Sequence, residues 1–226
     1  MKIKEIALCV YIVASVAAII GVVGNFDLLL LVSKPVIIPA VYFYYLAVVR
    51  KPNLIFTFFL IFTFIGDTVV LLKFDNPLFT MIPFFISYVI LMKFIVHDAI
   101  KEKPSLANAV YASLLMFLLM FVFTYLIDIP DKSAAALLLP IVVYGVVLGT
   151  MVSLSTYNYL TYKTLSSYYL LIACGCSLIS DVFYVLYNLH FHIPMLNYIN
   201  VTMQFLSCFL FVKYMLCRKM FTSVKL

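Results

Sequence analysis

Leu54-Ile55-Phe56-Thr57-Phe58-Phe59-Leu60-Ile61-Phe62-Thr63-Phe64-Ile65-Gly66-Asp67-Thr68-Val69-Val70-Leu71 is an apolar run that carries one carboxyl group near its end. A helix needs about 20 such residues to cross the hydrocarbon of a bilayer. An ionisable group inside that run is costly, and its default reading is functional. The stretch therefore predicts both a membrane-spanning helix and a site within it.

Outward from this run the same pattern repeats. Apolar segments near 5–24, 28–48, 54–74, 77–97, 107–127, 135–158, 168–189 and 197–217 predict an all-α, polytopic bundle of about eight transmembrane helices. Turn-forming clusters separate them: Gly24-Asn25-Phe26-Asp27, Lys51-Pro52-Asn53, Asp75-Asn76-Pro77, Lys101-Glu102-Lys103-Pro104, Asp128-Ile129-Pro130-Asp131, and Pro194 before the last span. A membrane β-barrel would show short alternating segments instead. Composition agrees, with 66% hydrophobic and 11% charged residues and a mean hydropathy of +1.18. Soluble domains have roughly 45–50% apolar and about 25% charged residues. The expected organisation is a single integral membrane domain over 1–226, with a possible division into four-helix halves, about 1–104 and 105–226.

Met1-Lys2-Ile3-Lys4 precedes an apolar run but no small-residue cleavage pattern follows, so the first segment is expected to be a retained helix. Lys2, Lys4, Arg50, Lys51, Lys101, Lys103, Lys163, Arg218, Lys219 and Lys225 fall on one side of this topology. Lys73 and Lys132 lie on the other, with Asp27, Asp75, Asp128 and Asp131. Cytoplasmic connections collect Lys and Arg, which predicts cytoplasmic termini. The net charge of +6 is then a topology signal and a source of attraction to anionic lipid, with no implication of nucleic acid.

Cys9, Cys174, Cys176, Cys208 and Cys217 all lie in or at the ends of spans. None has the spacing of a disulfide framework, and Cys174 and Cys176 point to different faces of a helix. Small buried hydrophobes are the expected role. His97, His190 and His192 lie near span ends, too dispersed for a metal site, and neither metal nor cofactor is expected. Tyr42, Tyr44, Tyr45, Tyr157, Tyr159 and Tyr162 suit an interfacial belt, and Lys73, Lys93 and Lys213 lie where they can snorkel.

The buried polar residues share a level. At about 1.5 Å per residue, Asp67 in the third span, Asp181 in the seventh and Lys34 in the second fall within one or two turns of the same depth. Ser177, Ser180, Asp181, Tyr184 and Asn188 recur at helical spacing on one face. Thr63 and Gly66 flank Asp67, while Pro140 and Tyr144 of the sixth span and Asn200, Thr202 and Gln204 of the eighth lie toward the same outer half. A polar cavity open to the outer leaflet would account for them. A structural ion pair from Lys34 to one or both aspartates is the plain alternative. Two carboxylates beside one ammonium would leave a charge uncompensated, so the pair is expected to share a proton if the residues meet. One proton donor and one acceptor is what acid/base hydrolysis uses.

Ser33-Lys34-Pro35, Gly66-Asp67, Pro140-x-x-x-Tyr144 leading to Gly149-x-Met151, and Ser180-Asp181 resemble the YhhN-type lysoplasmalogenase family in order, spacing and helix placement. The resemblance implies an eight-span membrane enzyme that hydrolyses the vinyl-ether bond of a lysophospholipid to a fatty aldehyde and a glycerophospho-ethanolamine or -choline. It implies Asp67 and Asp181 as catalytic residues, without metal or cofactor. Lys34, Tyr144, Ser177, Ser180, Tyr184 and Gln204 are the expected supporting and substrate-binding residues. Lysophospholipid and membrane lipid are the expected partners, and the bacterial cytoplasmic membrane the expected location. The chain departs from the family pattern around Phe85–Val89, where Pro83, Ser87 and Tyr88 replace the expected histidine, at Ala173-Cys174-Gly175, and around Gln204. A proton-coupled carrier is the rival function, since Asp67 and Asp181 occupy the third spans of two four-helix halves. A non-catalytic lipid-binding role is the remaining alternative.

Overall fold

The computed structural model describes residues 2–49, 51–72, 77–100, 105–126 and 135–223. The helices are α1 (Ile3–Val23), α2 (Asp27–Val48), α3 (Leu54–Leu71), α4 (Pro77–Ala99), α5 (Leu106–Leu126), α6 (Ala135–Tyr162), α7 (Leu165–Val185) and α8 (Pro194–Ser223). No strand occurs among the described residues. All eight helices are long and apolar enough to cross a membrane, and the chain is an integral multi-pass membrane protein. Lipid offers no partner to a bare N–H or C=O, which is why each apolar run closes its own hydrogen bonds as a helix.

The expected spans and the helices coincide to within a few residues, except near the C-terminus. There α7 continues past Val185 as a π-helical segment, Leu186–Phe191, which ends at His192 in the left-handed region at φ 47°. Helix α8 runs on to Ser223, beyond the expected end near 217. Of the residues used for the orientation, Arg50, Lys73, Asp75, Lys101, Lys103, Asp128, Asp131, Lys132 and Lys225 lie outside the described residues.

Six helices form a closed ring of neighbours, in the order α2, α3, α4, α6, α7, α8 and back to α2. Helix α1 lies outside against α2 and α8, and α5 lies outside against α6. In this order α3 stands opposite α7, and α4 opposite α8. Lipid tails are as apolar as leucine, so helices in a membrane associate through close packing and polar bonds. Gly145 and Gly149 supply the close packing for α5: a Cβ at Gly149 would lie 2.9 Å from the Met120 methyl, and one at Gly145 would lie 3.3 Å from the Phe123 ring. The rest of α5 carries Leu114, Phe117, Leu118 and Phe121 outward, as lipid contact requires.

The apolar core fills one end of the ring. Tyr45 at the end of α2, Phe56 and Phe59 at the start of α3, Leu91 and Ile95 late in α4, Met151 in α6, Leu170 early in α7, and Phe211 and Tyr214 late in α8 are all almost fully buried. Edge-on and stacked rings link Tyr45, Phe56, Phe59 and Phe211 in sequence. The opposite half of the ring carries the polar layer.

Candidate active site

Each helix of the ring sends at least one polar side chain into this layer. Asp67 of α3 lies 3.7 Å from the ammonium of Lys34 on α2, and its Oδ1 accepts a 2.6 Å hydrogen bond from the amide Nε2 of Gln204 on α8. Asp67 is 3% exposed and Lys34 is 5% exposed. The second carboxylate oxygen of Asp67, Oδ2, is buried and has no hydrogen-bond partner among the described residues. Gly66 lets the aromatic ring of Phe84 approach α3, since a Cβ there would meet it at 2.9 Å.

Asp181 has a different set of partners. Its Oδ2 accepts hydrogen bonds from the phenols of Tyr144 on α6, at 2.7 Å, and Tyr88 on α4, at 2.8 Å. The two rings lie against each other, with centroids 5.7 Å apart. Asp181 is only partly buried, so it is the more accessible of the two carboxyls.

Of the alternatives for Lys34, an ion pair with one or with both aspartates, the geometry shows the first. Lys34 pairs with Asp67, and among the described residues no hydrogen bond or ion pair joins Lys34 to Asp181 or one carboxyl to the other. The physical reason lies in the ring, which puts α3 and α7 on opposite walls. Each aspartate instead draws its donors from the helices beside it and beyond.

The remaining expected residues divide. Ser177, one turn before Asp181, is almost fully buried beside Tyr88. Ser180 points the other way, donating to Oδ1 and the backbone oxygen of Asn200 at 2.8 and 3.1 Å, and so fastens α7 to α8. Tyr184 is partly buried beside Thr80 and Asp181. Asn188 is exposed and bonds its own helix at Tyr184, and Thr202 is exposed and bonds the backbone of Tyr198. Asn188 leaves the polar face to which its spacing assigned it, since it sits in the π-helical segment, where the α-helical register no longer holds; Thr202, grouped by depth, lies two residues from Asn200 and therefore on another side of α8. Cys174, Cys176 and Cys208 are buried as expected of small hydrophobes, Cys217 is partly buried, and Cys9 is exposed on α1. Among the described residues no three His, Cys, Asp or Glu side chains come together as a metal site would require.

Two contributors escaped the sequence reading. Tyr88 registered only as a departure from a family pattern, and one tyrosine among 17 offers no signal of its own. Asp98, near the end of α4, is the second. Its carboxylate accepts from Arg218 Nε at 2.9 Å on both oxygens and from the Tyr214 phenol at 2.5 Å, while Tyr162 donates to its backbone oxygen at 2.7 Å. The Arg218 guanidinium also lies over the Phe94 ring at 5.1 Å and beside His97 Nδ1 at 3.1 Å. This cluster ties α4 to α8 across the ring at the apolar end. Its position near a span end gives it no sequence signal beyond that of an interfacial charge.

A family model described as the YhhN family matches residues 29–214. The chain belongs to the YhhN family. The match runs from the second span to the late part of α8 and takes in every residue of both carboxyl seats. No curated protein and no solved structure matches this YhhN protein. Chemically, among the described residues the layer offers a carboxylate held beside a cation with one oxygen unused, and a second carboxyl held by neutral donors.

Proposed function

We propose that this YhhN protein is a membrane lipid hydrolase that cleaves the vinyl-ether bond of lysoplasmalogens, releasing a fatty aldehyde and glycerophospho-ethanolamine or -choline. The observation that carries the reading is the unlike bonding of its two buried aspartates. Asp67 sits beside the Lys34 ammonium and accepts from Gln204, which favours its ionised form and leaves Oδ2 as a buried acceptor. Among the described residues Asp181 has phenol donors on Oδ2 only and no bonded cation, so Oδ1 is the place for a transferable proton.

In this reading Asp181 protonates the β-carbon of the vinyl ether, and the positive charge develops on the α-carbon and the ether oxygen. The Asp67 carboxylate stabilises that cation and takes a proton from the water that attacks the α-carbon, as paired carboxyls do in glycoside hydrolysis. The resulting hemiacetal collapses to the aldehyde and the glycerol hydroxyl. One water is consumed, and the proton given by Asp181 is restored from the one released by water. Lys34 holds Asp67 ionised, and Tyr144 holds Asp181 in place. The chemistry needs no metal or nucleotide.

The test is aldehyde release from lysoplasmenyl-ethanolamine by the purified protein, with Asp67→Asn, Asp181→Asn and an ester lysolipid alongside. Aldehyde formed by the wild type and lost in both folded variants supports the reading, and turnover retained in either variant removes that residue from the mechanism. A proton-coupled carrier is the second reading, favoured by the two-half arrangement of the helices. Proton-driven solute movement in proteoliposomes, with no aldehyde released, would select it.

A further inference from the structure

The neighbour relations of α1–α4 recur in α5–α8. Helix α1 packs on α2 as α5 packs on α6, α2 on α3 as α6 on α7, and α3 on α4 as α7 on α8. The halves close on each other in the same way, α4 on α6 and α8 on α2. Adding four to a helix number therefore maps the ring onto itself, as a two-fold axis along the bundle would.

The carboxyl seats obey the same rule. Asp67 is on the third helix of the first half and Asp181 on the third helix of the second. Asp67 takes Lys34 from the second helix of its own half, and Asp181 takes Tyr144 from the second helix of its own. The remaining donor comes each time from the fourth helix of the other half: Gln204 of α8 for Asp67, and Tyr88 of α4 for Asp181. Neither α3 with α8 nor α4 with α7 is a neighbouring pair in the ring, so both side chains reach across its interior.

We propose that Tyr88 and Gln204 are equivalent positioning residues, each the donor by which the fourth helix of one half fixes the catalytic carboxyl of the other half. Neither half then holds a complete carboxyl seat alone. Tyr88 and Gln204 act through the carboxyl they bond. Losing either donor changes the orientation and protonation of one aspartate and leaves the other seat as it was. The seats belong to the fold, and only the kinetic consequence rests on the hydrolase reading.

The experiment is infrared spectroscopy of the protein with isotope-labelled aspartate carboxyls, bands being assigned by their loss in Asp67→Asn and Asp181→Asn. Tyr88→Phe keeps the ring that packs on Tyr144 and removes only the hydroxyl; it is expected to shift the Asp181 band and leave the Asp67 band in place. Gln204→Met is expected to do the reverse. A carboxyl that loses one donor costs about tenfold in rate, so kcat of each variant should fall by about that factor with KM held. An unmoved Asp181 band in Tyr88→Phe, or both bands moving together in either variant, overturns the proposal. Absence of aldehyde release in wild type, with the reciprocal band shifts present, overturns the hydrolase reading and leaves the cross-half seats standing.

Discussion

Asp98 and Asp67 are both carboxylates paired with a cation inside the bundle, and they are bonded in opposite ways. Asp98 is saturated, with Arg218 at 2.9 Å on both oxygens, Tyr214 at 2.5 Å, and a phenol on its own backbone. Asp67 has its cation at 3.7 Å, one amide on Oδ1, and nothing on Oδ2. A buried acceptor left without a donor costs about 1–3 kcal/mol, and the fold spends nothing of the kind at Asp98. The saturated acid belongs to architecture, and the under-bonded one to chemistry. Asp181, with both donors on one oxygen, stands with Asp67.

The comparison breaks first on the aspartates themselves. Replacing a general acid or base costs about 10²–10⁴ in rate, so Asp181→Asn and Asp67→Asn should each lower aldehyde release by that order; thermal melting should stay near wild type in Asp181→Asn and fall in Asp67→Asn, which strands the Lys34 ammonium. Asp98→Asn should do the opposite, lowering the melting temperature while leaving kcat near its wild-type value. Equal kinetic damage from Asp98→Asn would erase the distinction between the two kinds of seat.

Lys34 sharpens it. Removing one partner of a buried ion pair costs about 3–5 kcal/mol because the other charge is stranded. Lys34→Met should therefore destabilise strongly in chemical-denaturation titrations in detergent. Lys34→Met combined with Asp67→Asn should recover most of that loss. A double variant no more stable than Lys34→Met alone would mean that the two do not form a pair. Tyr144→Phe is a smaller change, one phenol from two on Asp181, and should lower kcat by about tenfold with KM unchanged. Arg218→Gln is the mildest, expected to cost about 1 kcal/mol, since its pair with Asp98 is partly exposed. Melting curves measure it, with turnover as the control.

Much of this was legible in the residues. The spans could be placed because hydropathy over a bilayer's thickness is a long signal, and Asp67 and Asp181 stood out because a carboxyl within such a run is rare. What the chain conceals is helix rotation and ring order. Depth put Lys34 level with both aspartates, but only the order of helices around the ring decides that it meets Asp67 and not Asp181. Depth also put Thr202 with Asn200 and Gln204, yet residues two apart face different ways, and only Asn200 and Gln204 turn inward. Tyr88 was invisible because a phenol is at home in a membrane helix for several reasons. Asp98 was invisible because its partner is 120 residues away on α8.

The Lys34–Asp67 pair also bears on how the chain is made. Helix α2 is among the less apolar spans, with a window hydropathy of 1.6 against 2.8 for α1, and its lysine precedes its counter-charge in the chain. A lysine at mid-span costs about 2.5–3.5 kcal/mol on insertion scales. Helix α3, with Asp67, begins only a few residues after α2 ends. The ammonium finds its partner as soon as that second arm is delivered, so the insertion machinery gains by passing α2 and α3 to the lipid together, as a hairpin.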